Sequence, residues 1–393
     1  MGDRWEVREG GSAEVLTTLE AHSVDALICD PPAGIGFMSA KWDGDKGGRD
    51  QWIAWLAGIM REARRVCKPG AHALVWALPR TSHWTATAME DAGWAIRDIC
   101  HHLFFTGFPK SKWLDEARTI GTAMKPAAEH WLLCRAPLEG TATANYAAWG
   151  TGGLQVDACR ITGMSTMRSN RAEMGHHGGN LAAEYTTGSD QGRWPANLVL
   201  SCCGEDPHTD SCPVRMLDEQ AGVRSSGMMR AGTPRSNACG YSGAMPDRTL
   251  KDTYGDSGGA SRFIYVAKAT AGDRDFGLEG MPATPATDRV GRQEGSAGMQ
   301  SPRAGAGRTG GALNHHPTLK STTLMAWMVR LITPPDGLVL DCFAGSGSTG
   351  IAAIREGHRF IGIEQDPAFV SIARKRIGAA AAQGTLMNFS ELG

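Results

Sequence analysis

Apolar residues along this chain gather into short runs of strand length, separated by stretches in which they recur at helical spacing. Over the first block the pattern predicts a strand at 24 to 29, a helix from about Gln51 to Val66, and a strand at 72 to 78 after Lys68-Pro69-Gly70. It then predicts a helix near 82 to 91, a strand near 95 to 104 and an apolar run at 131 to 136. A final block repeats the texture: a helix at 321 to 332 ended by Pro334-Pro335, a strand at 338 to 341, a helix from about 348 to 356, a strand at 359 to 364 and a helix from about 367 to 376. Strands alternating with helices imply a mostly parallel sheet in an α/β domain. Between the blocks the periodicity fades, glycine, serine, threonine and asparagine rise, and only 193 to 200 and 261 to 269 look like strands. A glycine-rich stretch at 286 to 313 carries almost no apolar pattern and is expected to be flexible. Three segments follow: a first α/β part at 1 to 136, a loop-rich insertion at 137 to 260 and a second α/β part at 261 to 393.

Composition narrows the class. With 393 residues, 41% of them apolar, the chain can bury a substantial core. No apolar run approaches the ~20 residues that span a bilayer, and the first ten residues lack the apolar stretch of a signal peptide, so a cytoplasmic protein without membrane contact is expected. A formal net charge of −1 neither requires nor excludes a nucleic acid, because phosphates are met by locally placed cations. Ten cysteines in a long chain of this kind are expected to be reduced thiols.

Two turns carry candidate chemistry. Gly345, Gly347 and Gly350 form G-x-G-x-x-G between a predicted strand and a predicted helix, with Ser348 or Thr349 placed to cap that helix. Glu364 ends the next strand about 19 residues after the first glycine, where a carboxylate meets ribose hydroxyls in nucleotide-binding folds. That combination suits NAD, FAD or S-adenosylmethionine; a tight turn without ligand is the competing reading. Early in the chain, Asp30-Pro31-Pro32 ends an apolar strand. The prolines remove two backbone donors and leave carbonyls free, so a carboxylate and a carbonyl can converge on both hydrogens of an amino group. Seen alone, the same tripeptide also suits a simple strand-ending turn. With the cofactor loop late and Asp-Pro-Pro early, the two parts are expected to close one circularly permuted domain around a shared site.

Taken together, these motifs resemble the β-class DNA amino-methyltransferases, which methylate adenine N6 or cytosine N4 with S-adenosylmethionine. Phe343, Gly345 and Gly347 match that family's FxGxG, and Asp30, Pro31 and Pro32 match its catalytic motif. His316, Pro317, Thr318 and Lys320 are similar to its HPTxKP segment, and residues 362 to 367 to its ribose-binding strand end. The resemblance implies a Rossmann-like methyltransferase fold, with helices on both faces of the sheet, acting on double-stranded DNA and compatible with a homodimer. It implies that Asp30, Pro31 and Pro32 are catalytic, and that Asp341, Phe343, Ala344, Gly345, Ser346, Gly347, Glu364, Thr318 and Lys320 bind the cofactor. It further implies that 137 to 260 recognises the target and that the base is rotated out of the duplex. Asp-Pro-Pro leans toward adenine over cytosine by family habit. The sequence departs from the family at Ala33, where an aromatic residue normally stacks on the base, at Gly11, at Ser321 and at Cys342. Phe37 or Trp42 are the nearby candidates to replace the stacking residue.

Other features stay outside the motifs. Cys202, Cys203, His208 and Cys212 form a set able to hold structural zinc, with Cys239 as a further candidate. Their spacing lacks a common C-x2-C pair, so unbound thiols are expected and no metal is assigned. His101-His102, His176-His177 and His315-His316 read as solvated or capping residues apart from His316. Arg193-Trp194 and Arg262-Phe263 suit either a phosphate and base-stacking surface or a packed strand end. A DNA-binding protein without catalysis, motivated by Ala33, and a nicotinamide or flavin oxidoreductase remain the competing functions.

Overall fold

The computed structural model describes residues 4–36, 43–105, 111–161, 192–225, 256–268, 271–283 and 313–390. The glycine-rich stretch expected to be flexible, together with Phe37, Trp42, His176, His177 and Cys239, lies almost wholly or wholly outside them. In chain order the elements begin with β1 (Trp5–Glu9), α1 (Ser12–Thr17), β2 (Val24–Cys29), α2 (Arg49–Val66), β3 (Cys67–Ala77) and α3 (Ser82–Asp91). They continue with β4 (Ala95–Leu103), β5 (Ala128–Arg135), α4 (Ala142–Trp149), β6 (Leu198–Cys202), α5 (Pro213–Ala221) and the two-residue strands β7 (Arg224–Ser225) and β8 (Ser257–Gly258). The last are β9 (Tyr265–Lys268), α6 (Thr322–Ile332), β10 (Leu338–Asp341), α7 (Ser348–Arg355), β11 (Arg359–Glu364) and α8 (Pro367–Ser390).

Residues 1–155 and 267–393 form one compact unit and 156–266 a second. The interruption thus starts later than the expected 137. The reason is α4, whose buried Asn145 donates to the carbonyls of Pro69 and Thr151 at 3.0 Å each and so joins the stretch after β5 to the start of β3. Within the first unit the strand order is β1-β11-β10-β2-β3-β5-β4. Neighbours from β1 to β3 run parallel, and β5 is antiparallel to both β3 and β4. Every residue of β2 is buried although successive side chains point to opposite faces, so both faces of the sheet are covered. The helices pack as two sets, α1-α2-α3 and α6-α7-α8. α2 shows why: Trp52, Ile53, Leu56, Ala57, Ile59, Met60 and Ala63 recur at helical spacing and make one face of it core. The expected α/β class with a mostly parallel sheet is what the chain adopts.

Local departures have local causes. β3 starts at Cys67 rather than 72 because Val24 pairs with Cys67 ahead of a register shift. α8 runs to Ser390 instead of stopping near 376, since the alanine-rich stretch after Arg376 favours helix strongly enough to carry Gly378 and Gly384. Among the described residues of the expected strand at 261 to 269, Tyr265–Lys268 is strand, and Ala260–Phe263 forms a 3-10 turn. No helix among the described residues is long and apolar enough to cross a membrane.

Candidate active site

Parallel pairing sets the site. β10 pairs with β2, Val339 beside Ala26 and Leu340 beside Leu27, and β11 lies on the other side of β10. The residues following the C-terminal ends of these three neighbours are Asp30, the 342–347 loop and the turn after Glu364. Crevices at the carboxyl ends of parallel strands are where open α/β sheets place ligands.

A cavity of about 790 Å³ is lined by the glycine loop from Asp341 to Ser346, by Glu364, by His316, Thr318 and Lys320, and by Asp30 and Pro32. A second, of about 1230 Å³, is lined by Asp30, Pro31, Pro32 and Ala33 together with Trp76, His102, Phe104, Glu129 and Lys320. Asp30, Pro32, Thr318, Leu319 and Lys320 face both. The early and late motifs therefore meet.

Around Asp30 the charges form a chain. Lys320 Nζ lies 3.3 Å from Asp30 Oδ2 and 3.2 Å from Glu129 Oε2. Glu129 also accepts from Trp76 Nε1 at 2.6 Å, and its Oε1 lies 2.8 Å from His102 Nδ1. Burial pushes the Asp30 carboxyl up to about 6, against the pull of the Lys320 ammonium, with Glu129 adding to the rise. Burial would raise Glu129 too, but Lys320, His102 and Trp76 outweigh it and hold this group well below the usual carboxylate range. The two carboxylates in turn hold Lys320 charged against its burial. Lys320, expected on the cofactor, is thus bound to the predicted catalytic carboxylate, and His102 is engaged rather than solvated.

The glycine loop is braced from beneath. Asp341 accepts from Phe343 N–H at 3.0 Å and from the Thr349 hydroxyl at 2.6 Å, and burial pushes its carboxyl up to about 7. That hydroxyl is thus spent on Asp341, and Gly347, not Ser348 or Thr349, occupies the cap position of α7, without a side-chain bond. Arg376, fully buried, donates to the Ser346 carbonyl at 2.6 Å and to the Asp273 carbonyl at 2.6 Å. Ala344 N–H is tied to the Ile363 carbonyl at 2.9 Å, and Phe343 packs at 6.0 Å from Trp55. Gly345 N–H donates to Glu364 Oε2 at 2.9 Å, and Asp366 N–H to Oε1 at 2.8 Å. Burial raises the Glu364 carboxyl above its ordinary value. Gly347 does not line the cavity: a Cβ there would stand 3.1 Å from Ala373 of α8. His316 is seated by Phe369, 4.6 Å away edge-on, and by Arg274, which donates to the Asn314 and His316 carbonyls.

Residues 286–375, which contain the His316 segment, the glycine loop and Glu364, match the DNA methylase family model for N6 and N4 methylation. Curated relatives of the chain include a putative methylase YubD of Escherichia coli (strain K12), 43% identical over 65 residues, covering 16% of this chain and 29% of that protein. The type II methyltransferase M2.DpnII of Streptococcus pneumoniae is 44% identical over 64 residues, covering 16% and 24%. The chain thus spans about a quarter of the length of these relatives. Among solved structures, the cytosine-N4-specific PvuII DNA methyltransferase aligns with 95% of this chain and 86% of its own at 12% identity and a TM-score of 0.45.

Glu129, Trp76, His102, Arg274 and Arg376 escaped the motif reading. They reach the site from β5, β3, β4, the turn at 274 and α8, with no spacing in the sequence to connect them to it. Ser12, next to the departure at Gly11, donates to the Cys342 carbonyl at 2.5 Å and lines the smaller cavity. In the second unit, Arg193 and Arg262 both pair with Asp256, and both guanidiniums lie over the Phe263 ring. This is the packed strand end, with Trp194 left exposed.

Proposed function

We propose that this chain transfers a methyl group from S-adenosylmethionine to an exocyclic amino group of a DNA base. The observation that carries the reading is the position of Asp30 on the wall shared by two cavities, one edged by the glycine loop and Glu364, the other by aromatic and apolar side chains. The smaller cavity suits the cofactor. It offers a carboxylate at a strand end, an apolar side formed by Trp55, Phe343 and Ile363, and a loop whose Gly345 leaves no room for a Cβ beside His316. Glu364 would hold the ribose, and the loop with Thr318 the remainder. Bound there, the cofactor supplies an electrophilic sulfonium methyl. The family match over the glycine loop favours this chemistry over that of a nicotinamide or flavin enzyme.

In the larger cavity Asp30 accepts one hydrogen of the target amino group and the Pro31 carbonyl the other, which aims the nitrogen lone pair across the wall and lets Asp30 receive the proton released on methylation. Adenine N6 is the favoured target on the strength of Asp-Pro-Pro, with the base extruded from the duplex. Ala33 leaves the stacking role open. Trp76 and Phe104 line the same cavity as Ala33 and supply the flat apolar surfaces. Leu114, Ile120 and Met124 stand exposed between β4 and β5, and Met124 also lines this cavity, a placement suited to wedging between base pairs. The unit at 156–266 is the candidate reader of the DNA sequence. Incubating the protein with methyl-labelled cofactor and DNA, followed by nucleoside mass spectrometry, tests the reading: N6-methyladenine is expected, N4-methylcytosine would reassign the base, and no label in any nucleoside would overturn it.

Two pH effects follow. Turnover is expected to fall as pH drops through about 6, because protonating Asp30 removes an acceptor for the amino group. Lys320→Met should move this acid limb to higher pH, since the ammonium is what draws the carboxyl down. The same change strands two largely buried carboxylates and should cost about 3 kcal/mol of stability. Rate profiles and denaturant titrations of the two proteins check both.

A further inference from the structure

The described residues of the unit at 156–266 bury few apolar side chains. They are Ile161, Val199, Leu200, Pro213 and Val214, beside Cys159, Cys202 and Cys212. A core this small commonly needs a covalent or metal staple. Two of those cysteines belong to a cluster that joins β6 to α5. Cys202 ends β6, Cys203 and His208 sit in the following turn, and Cys212 is the N-cap of α5.

The four ligand atoms all lie within 4.8 Å of one another. Individual separations are 3.6 Å from Cys202 Sγ to His208 Nδ1, 3.5 Å from Cys203 Sγ to His208 Nδ1, and 4.0 Å from Cys212 Sγ to Cys202 Sγ. Zinc bound tetrahedrally, with sulfur at ~2.3 Å and imidazole nitrogen at ~2.0–2.1 Å, requires S···S edges of about 3.8 Å and S···N edges of about 3.5 Å. The three separations at 3.6, 3.5 and 4.0 Å lie close to edges of that tetrahedron. Side chains brought together only by apolar packing have no reason to direct three sulfurs and a ring nitrogen at one point. Gly204 N–H also donates to Cys202 Sγ at 3.4 Å, the kind of backbone bond that stabilises a metal-bound thiolate.

We propose that Cys202, Cys203, His208 and Cys212 bind one zinc ion. Four protein ligands leave no open position, so the ion is structural: it clips the end of β6 to the first turn of α5. This reverses the expectation of unbound thiols, which rested on the missing C-x2-C pair. The fold supplies from the helix cap what the linear spacing lacked.

The test is the metal content of the full chain, purified without chelator and passed through gel filtration. About one zinc per chain is expected by elemental mass spectrometry. Cys203→Ser, at the less buried of the thiols, should lose most of it. Because a variant can fail to fold, wild-type protein stripped of metal under reducing, oxygen-free conditions is also titrated with cobalt. The intense visible bands of a tetrahedral, thiolate-bound cobalt ion are expected. A zinc-free wild type that yields no tetrahedral cobalt spectrum would overturn the site, as would full zinc occupancy in both Cys203→Ser and Cys212→Ser.

Discussion

Asp30→Ala is expected to lower methyl transfer by about 10²–10³-fold or more, while affinity for S-adenosylmethionine stays within a few-fold of the wild type. The carboxylate is one of two acceptors proposed to hold the amino nitrogen, and losing it frees the nucleophile to rotate away from its line of attack. Folding should survive. Lys320 keeps Glu129 at 3.2 Å, so the substitution does not strand its charge. The smaller cavity loses one of many wall side chains and retains Glu364, Thr318 and the whole glycine loop. Single-turnover transfer of labelled methyl, read beside calorimetric binding of the cofactor, separates the effects. Undiminished transfer would refute the catalytic assignment, and an equal loss of cofactor affinity would move Asp30 into the binding site.

Gly345→Val is expected to weaken cofactor binding by about 100-fold or more, which corresponds to about 2.7 kcal/mol. The backbone at Gly345 has φ +50°, a left-handed conformation that costs a β-branched residue about 1–2 kcal/mol, and a Cβ there would stand 2.8 Å from His316 Nε2. Either the loop or His316 must move. A moved loop breaks the Gly345 N–H bond to Glu364, the residue proposed to hold the ribose. Gly347→Val should behave differently. With φ +83° and a Cβ 3.1 Å from both the Cα and Cβ of Ala373, it forces the loop away from α8 and should appear first as a lowered melting temperature. Calorimetry on Gly345→Val and thermal denaturation of Gly347→Val check the pair; normal cofactor affinity in the former would remove the loop from the site.

The motif glycines show how far a pattern can be read. Three glycines at the fingerprint spacing announced a tight turn between strand and helix, and the turn is there. The pattern did not say which glycine faces a ligand and which faces a helix. Gly345 borders the cavity, whereas a Cβ at Gly350 would strike Ile377 and Phe360 and one at Gly347 would strike Ala373, so two of the three serve packing. Ser348 and Thr349 illustrate a second limit. Both are good caps by type, but Thr349 bonds to Asp341 across the loop, a partner that appears only once the loop has closed. β1 went unread because Trp-Glu-Val-Arg-Glu is half polar; it is a strand because β11 provides a parallel partner from Phe360 to Glu364.

From residue order alone came the α/β alternation, the two turns that carry chemistry and their unusual order along the chain, because local propensity and period are properties of neighbours. Tertiary structure decided which turns face each other. Parallel pairing of β10 with β2 sets Asp30 beside the glycine loop, although more than three hundred residues separate them in the chain, and hydrogen-bond register between distant strands leaves no trace in local composition. Closure of the sheet likewise brought Lys320 from the start of α6 between carboxylates on β5 and beyond β2. There the low dielectric makes an ion pair strong and an unpaired charge costly.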